Sequence, residues 1–320
     1  MKAIRVHQFG EPEAMVLEEV SEPEPADGQV RLQIAAVGVN PVDTYIRAGT
    51  YHIRPHLPYT PGNDGAGRID AVGQGVSHLK VGDRVYCAGS LSGTYADKAL
   101  CASDRVFPLP ETLSYAQGAS VGVPYGAAYH GLFHRAGALA GDIVLVHGAT
   151  GGVGTAAVQL AKAYGMTVAA TGGTEQGRRQ AAEQGADLVM DHKSTGYLGQ
   201  LMDWTHGRGV DVILEMLANV NLGEDLKVLA ANGRVVVIGS RGPVEINPRD
   251  AMQKNAAILG MLLGSVSAEE FRRIHAALGA GMARATLKPL VGQELSLAQA
   301  PEAHRKILAP GAAGQIVLIP

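Results

Sequence analysis

The sequence predicts an α/β protein in two parts: a doubly wound parallel sheet in the middle of the chain, and a β-rich part built from both ends. Three observations carry this. From residue 142 onward the chain repeats a short apolar strand followed by a longer helix, the signature of βαβ units. The first third alternates short β-rich runs with glycine turns, as barrels and sandwiches do. The last run, Gly314 to Ile319, is β-rich again, so the tail is expected to return and complete the first part.

The elements follow in order. Gln29 to Val37 alternates partly and is β-rich, and Arg68 to Val72 and Asp83 to Tyr86 are short strands bounded by Gly67, Gly73, Gly75 and Gly82. Pro41, Pro55, Pro58 and Pro61 mark loops, because proline cannot donate to a central ladder. Tyr115 to Arg135 has an Ala-rich helical spacing. Asp142 to Val146 reads as a strand, followed by a helix through about Tyr164. Further strands are expected at Thr167 to Thr171, Leu188 to Met190, Val210 to Leu214, Arg234 to Ile238 and Ile258 to Leu263. Continuous apolar runs such as Val235 to Ile238 fit strands covered on both faces. A helix is expected at Ala268 to Ala280.

Composition narrows the function. The 320 residues fit two domains at roughly 150 residues each. An apolar share of 46% is too high for a disordered chain. Thirty acids against 27 bases leave a net charge of −3, which gives no global pull on nucleic acid or anionic lipid. Aromatics at 5% offer no stacking platform for single strands. Cys87 and Cys101 make neither a disulfide framework nor a four-cysteine zinc site, and suit a reducing compartment. No apolar run approaches the ~20 residues that span a bilayer, and no secretory signal follows Met1. A cytoplasmic protein with neither membrane nor nucleic-acid partner is expected.

The strongest local signal is His147-Gly148-Ala149-Thr150-Gly151-Gly152-Val153-Gly154. It follows an expected strand and opens an expected helix, the context a dinucleotide fingerprint requires. Gly151 would let the backbone approach a pyrophosphate, and Gly154 would let helix and strand pack closely. The helix N-terminus then holds the phosphates. About 20 residues on, NAD-preferring sites carry a carboxylate. Here that place reads Thr171-Gly172-Gly173-Thr174, with no acid until Glu175 and with Arg178, Arg179, His192 and Lys193 nearby. Cations there suit a 2′-phosphate, so NADPH is the expected cofactor. Asp203, Asp211 and Glu215 read as ordinary carboxylates at helix surfaces or strand ends. The eleven histidines show no metal-ligand spacing. His78, His130 and His134 read as ordinary surface or core residues, and no metal is expected.

The chain resembles the medium-chain dehydrogenase/reductases, and within them the zinc-independent quinone oxidoreductases of the zeta-crystallin group. The likeness is carried by Gly38 to Arg47 (GVNPVDTYIR), Leu57 to Gly62 (LPYTPG), Val144 to Ala149, Glu215 to Leu222 (EMLANVNL), Gly239 to Gly242 and Glu245 to Asp250. The resemblance implies a GroES-like β-barrel catalytic domain at 1–119, completed by 281–320. It implies a Rossmann doubly wound parallel-sheet cofactor domain at 120–280. Zinc alcohol dehydrogenases carry a cysteine where this chain has Asn40, and Gly-His-Glu where it has Gly62-Asn63-Asp64.

By the same likeness Asn40, Tyr45 and Tyr51 would line the nicotinamide and substrate site. Thr150, Gly151, Gly152 and Val153 would hold the pyrophosphate. Gly173 and His192 would border the 2′-phosphate. Bacterial relatives place a lysine where this chain has Gly177, and Arg178 is placed to substitute. Asn221, Ile238, Gly239, Ser240, Arg241, Met261, Leu262 and Leu263 would flank the ribose and nicotinamide. The implied activity is hydride delivery from NADPH to a small-molecule quinone, by a homodimer or homotetramer. An electron-poor acceptor does not need the Lewis acid that alcohol oxidation uses. Reduction of an enone or alkenal double bond is the alternative in the same fold. A non-enzymatic structural or RNA-binding role, known for zeta-crystallin-like proteins, is weakened by the charge and the few aromatics.

Overall fold

The computed structural model describes residues 1–311 and 313–320. The chain divides into two compact units, Met1–Pro124 with His275–Pro320, and Tyr125–Ile274.

The first unit begins with β1 (Lys2–Val6), β2 (Met15–Glu19), β3 (Gln29–Val39), α1 (Pro41–Ala48), β4 (Asp64–Val72), β5 (Arg84–Ala88), β6 (Lys98–Ala102), β7 (Val106–Pro108) and α2 (Tyr115–Ala119). The long β3 is its spine, pairing antiparallel with β4 along its length and with β6 over Gln29 to Gln33. Val30, Leu32 and Ile34 alternate into the core, as the period of two requires. Immediately after β3 the chain turns into α1. Pro41 occupies the first helical turn, where its missing N–H costs nothing. The Asp43 carboxylate reaches back to the Asn40 N–H at 2.9 Å. Gly49, at φ +73°, ends the helix, a left-handed position that glycine takes without strain.

The helical stretch expected over Tyr115 to Arg135 is in fact three pieces. After α2 come α3 (Gly122–Tyr129) and a π-helical turn, His130–Arg135. α3 starts close against β4: a Cβ at Gly122 would lie 2.2 Å from Asp64 Oδ1.

The second unit then runs through β8 (Ile143–Val146), α4 (Gly152–Ala163), β9 (Thr167–Gly172), α5 (Glu175–Glu183), β10 (Leu188–Asp191), α6 (Tyr197–Trp204), β11 (Val210–Glu215), α7 (Ala218–Val228), β12 (Leu229–Val237), α8 (Pro248–Lys254) and β13 (Ala257–Gly260). Its six strands are parallel in the order β10-β9-β8-β11-β12-β13. This is the doubly wound order of dinucleotide-binding sheets, with the switch point between β8 and β11. Leu145, Ala169, Ile213 and Val235 are fully buried in this sheet, each worth about 1.5–3 kcal/mol for the larger side chains. The strand expected at Ile258 to Leu263 stops at Gly260. Its partner β12 ends opposite, at Val237, so Met261 to Leu263 leave the sheet and Leu263–Ser265 close a 3₁₀ turn.

The remaining elements are α9 (Ala268–Ala283), β14 (Val291–Ser296), α10 (Ala300–Lys306) and β15 (Gln315–Ile319). β15 lies antiparallel to β3 and β14 parallel to β15, extending the first unit's sheet to seven strands. Among the described residues no helix is long and apolar enough to cross a membrane.

Candidate cofactor-binding site

The glycine loop connects the central strand β8 to α4. Gly148 stands at φ +57°, where a side chain would be strained. The Gly148 N–H donates to Thr171 Oγ1 at 3.1 Å and the Ala149 N–H to the Thr171 carbonyl at 3.0 Å. The loop is thus tied to the end of β9. A Cβ at Gly154 would lie 2.2 Å from the Gly148 carbonyl oxygen, so only glycine allows α4 to start this close to β8. The first-turn N–H groups of α4, around Gly152 and Val153, have no intrahelical partner and form a seat for an anion.

Beside the loop, β9 and β10 end in register, Gly172 opposite Asp191. A Cβ at Gly173 would lie 2.7 Å from His192 Nε2 and 3.2 Å from Lys193 Cε. A Cβ at Gly177 would press on Thr150 Cγ2 at 2.8 Å, so any side chain there would have to displace Thr150. Arg178, one residue on, reaches the Gly172 carbonyl at 3.4 Å. Gly173, Arg178, His192 and Lys193 therefore gather at one corner. The corner also contains a carboxylate that local reading missed. Asp191 pairs with Arg178 at 2.8 Å and accepts from the Lys193 N–H at 2.9 Å. That backbone bond, then the surrounding cations, hold Asp191 below its usual range. The parallel register brings it there, across a strand boundary that spacing along the chain does not show.

On the other side of the switch point, the turns after β11 and β12 are knitted together. The Glu215 carbonyl accepts from the Ile238 and Gly239 N–H groups at 2.9 and 3.2 Å, and the Ala218 N–H donates to the Gly239 carbonyl at 2.9 Å. The Arg241 N–H donates to Asn219 Oδ1 at 2.9 Å, and the Met261 N–H to the Val237 carbonyl at 3.0 Å. Asn221, Ile238 to Arg241 and Met261 to Leu263 thus line one end of the sheet with Thr150 to Val153.

Beneath these turns lies a buried cluster. His147 Nε2 meets Asp225 Oδ1 at 2.8 Å and lies 3.6 Å from Glu215 Oε2. Glu215 and Asp225 are both fully buried. Desolvation pushes each carboxyl up to about 7 and holds the His147 imidazole below its usual range. The sequence places Glu215 as a strand-end carboxylate; the structure makes it an interior one. Asp203 is exposed, and Asp211 is paired with Arg208 at 2.6 Å; both are ordinary, as expected.

Asn40, Tyr45 and Tyr51 belong to the first unit. Tyr45 is on α1, and its carbonyl accepts from the Thr50 and Tyr51 N–H groups at 3.0 and 3.3 Å, which brings the two tyrosines onto one turn. Both rings are half-buried, and burial raises the Tyr51 hydroxyl pKa. Asn40 is only 1% exposed. Its Nδ2 donates to Asp64 Oδ2 at 2.9 Å and its Oδ1 accepts from Gln315 at 3.2 Å.

Residues 26–111 match the family described as "Alcohol dehydrogenase GroES-like domain", and residues 152–279 the one described as "Zinc-binding dehydrogenase". The quinone oxidoreductase of Sus scrofa is 50% identical over 321 aligned residues, covering 100% of this chain and 98% of that protein. The quinone oxidoreductase of Homo sapiens is 48% identical with the same coverage. The crystal structure of Escherichia coli quinone oxidoreductase complexed with NADPH superposes with a TM-score of 0.89 at 30% identity, covering 100% of both chains. The fold is therefore a GroES-like domain with a Rossmann cofactor domain. The zinc of the second description does not fit the residues present. Asn40 presents a donating amide, and Asp64 spends one oxygen on two N–H donors, Asn40 and Val123. No His or Cys joins them in a ligand group among the described residues. The chain belongs to the quinone oxidoreductase family of the medium-chain dehydrogenase/reductases.

Proposed function

We propose that the protein is an NADPH-dependent quinone reductase that works in the cytoplasm as a homodimer or homotetramer. The observation that carries the activity is the 50% identity to a quinone oxidoreductase over the whole chain. The glycine cradle supports the cofactor, because Gly148, Gly154 and Gly173 are each held to glycine by strain or by close neighbours.

In this reading, bound NADPH supplies the hydride for the acceptor. Thr150, Gly151, Gly152 and Val153 seat the pyrophosphate. Gly173 leaves room for the 2′-phosphate, which Arg178 and His192 border; Arg178 is shared between that phosphate and Asp191. Asn221, Ile238 to Arg241 and Met261 to Leu263 hold the ribose and nicotinamide. Tyr45 and Tyr51 position the acceptor, with Asn40 holding the base of α1. With its pKa raised by burial, the Tyr51 hydroxyl keeps its proton through the neutral range and stays a hydrogen-bond donor. We assign the catalytic domain to 1–119 with 281–320, and the cofactor domain to 120–280.

Support for an oligomer comes from β13. It is an edge strand, and Ile258, Leu262 and Met252 around it are 40%, 46% and 71% exposed. An uncovered apolar edge is a liability that association removes. Two free, buried cysteines suit a reducing compartment.

The test is steady-state turnover with phenanthrenequinone, benzoquinone and a short alkenal, each with NADPH and with NADH. Quinones reduced well and the alkenal poorly is the expected result. The reverse order moves the activity to double-bond reduction.

A further inference from the structure

The His147, Glu215 and Asp225 cluster contains two acids and one imidazole, all buried, with their polar atoms within 4.8 Å of one another. Its contacts reach two of the turns assigned to the cofactor. Glu215 Oε1 accepts from the Leu217 N–H and from Asn221 Nδ2 (3.2 Å for the latter). His147 Nδ1 lies 3.5 Å from Thr171 Oγ1, which in turn holds Gly148. The remaining oxygens, Glu215 Oε2 and Asp225 Oδ2, are buried without a hydrogen-bond partner among the described residues. Two carboxylates this close, without a buried cation, cannot both ionise cheaply.

We propose that Glu215 and Asp225 share one proton and together act as a positioning pair, keeping the Glu215 carboxyl seated so that the 216–221 turn and Asn221 stay set for the nicotinamide half of the cofactor. This rests on the cofactor reading above. Asp225 lies in the last turn of α7 and is anchored by His147, whereas Glu215 ends β11 and leads into the turn. When the proton leaves, like-charge repulsion therefore acts on Glu215 and loosens the turn. The groups facing the pair are His147 from the end of β8, Glu224 beside Asp225 on α7, and Tyr197 on α6. The Tyr197 ring stands edge-on to His147 at 6.5 Å, and burial pushes its hydroxyl up to about 12. His192, before α6, is a further titratable group coupled to His147, and burial lowers its pKa. Burial raises both acids of the pair above the ordinary carboxylate range, so the shared proton persists into the pH range that the experiment scans.

The experiment is NADPH and NADH binding, followed by cofactor fluorescence, from about pH 6 to about pH 9 in the full-length wild type and in D225N. Binding needs no acceptor, so it reads the pair whatever the quinone turnover. Wild-type affinity is expected to fall on the alkaline side, with a slope approaching about tenfold per pH unit for one proton. In D225N the amide donates to Glu215 at every pH, so the slope should flatten. The same limb with NADH, which lacks the 2′-phosphate, separates the pair from His192. Infrared difference spectra of the apoprotein should show a protonated carboxyl band that titrates near neutrality and is lost in D225N. Affinity that ignores pH, a limb that survives in D225N, or a stoichiometric divalent metal in the purified protein overturns the proposal. Absence of cofactor binding at every pH instead overturns the cofactor reading, and this proposal with it.

Discussion

Asn40 and Asp64 are joined side chain to side chain, Nδ2 to Oδ2 at 2.9 Å, where β3 ends and β4 begins. The Asp64 oxygen also takes the Val123 N–H at 2.8 Å, so one buried carboxyl ties together β4, the start of α1 and the start of α3. Asn40→Ala removes a donor and leaves the carboxyl half-satisfied, a loss of ~1–3 kcal/mol. Asn40→Asp should cost more, because it adds a third acid beside Asp43 and Asp64. Thermal unfolding checks both, and an Asn40→Asp protein as stable as wild type would contradict the account.

The same acids set a pH dependence of stability. Asp43 and Asp64 are fully buried, and desolvation above all pushes each from 3.8 to about 7, with the charge of Asp64 adding to the shift of Asp43. In the folded state they keep their protons to higher pH than in the unfolded chain. Their contribution is therefore fully present below about 4 and is lost as pH rises through about 7. Tm should fall across that window, and Asp43→Asn, which still accepts from the Asn40 N–H, should reduce the fall. A Tm that climbs from pH 5 to pH 8 in the wild type, with no change in slope for Asp43→Asn, is the opposite result.

In the proposed reading, cofactor choice depends on Gly173. A side chain there meets His192 at once, since a Cβ would lie 2.7 Å from its Nε2. Gly173→Ala therefore measures crowding alone. Gly173→Asp adds a negative charge at the 2′-phosphate corner, and should weaken NADPH by a further ~1–3 kcal/mol while affecting NADH less. Equal NADPH and NADH affinity in the wild type would remove the basis for this prediction.

Whether a site residue was legible in the sequence depended on how far away its partners lie. The glycine loop was legible because its constraints are local: Gly154 must clear Gly148, six residues before it. So was the absence of an acid at 172–173, which is a property of one strand end. Asp191 was not, because its nearness to Arg178 arises from the parallel pairing of β9 and β10. Nor was the His147, Glu215 and Asp225 cluster. It exists only because β8 and β11 are neighbours, with Val146 opposite Leu214, and α7 packs back over them. A crossover sheet joins residues 68 to 78 apart in sequence here, and no spacing rule reports that. The end of β13 is hidden from the sequence for the same reason: the apolar run continues past Gly260, but the pairing with β12 does not.

Association should follow the β13 edge. Light scattering is expected to give two or four times the 33.3 kDa chain mass. Ile258→Lys puts a charge on the exposed edge and should shift the mass toward the single chain. A wild-type monomer at micromolar concentration refutes the proposed oligomer.

The last prediction concerns the chemistry. The residues at positions 40, 63 and 64 do not make a zinc site, so exhaustive chelation should leave turnover unchanged. A quinone that accepts hydride yields an anion whose charge is delocalised and is protonated by water. The protein's share is then proximity and orientation, which account for roughly 7–11 kcal/mol of a barrier. Tyr45 and Tyr51 supply the orientation in this reading. A donor aimed at developing charge is worth up to ~10²–10³ in rate when removed. A ring that only positions the acceptor costs less, and its loss falls mostly on KM. Tyr51→Phe keeps the ring and deletes the hydroxyl, so it isolates the hydrogen bond; a modest fall in kcat/KM is expected. Tyr51→Ala removes the ring as well and should raise KM for the quinone further. If chelation abolishes turnover and added zinc restores it, or if Tyr51→Phe loses activity as completely as Tyr51→Ala, the ring-positioning account is wrong.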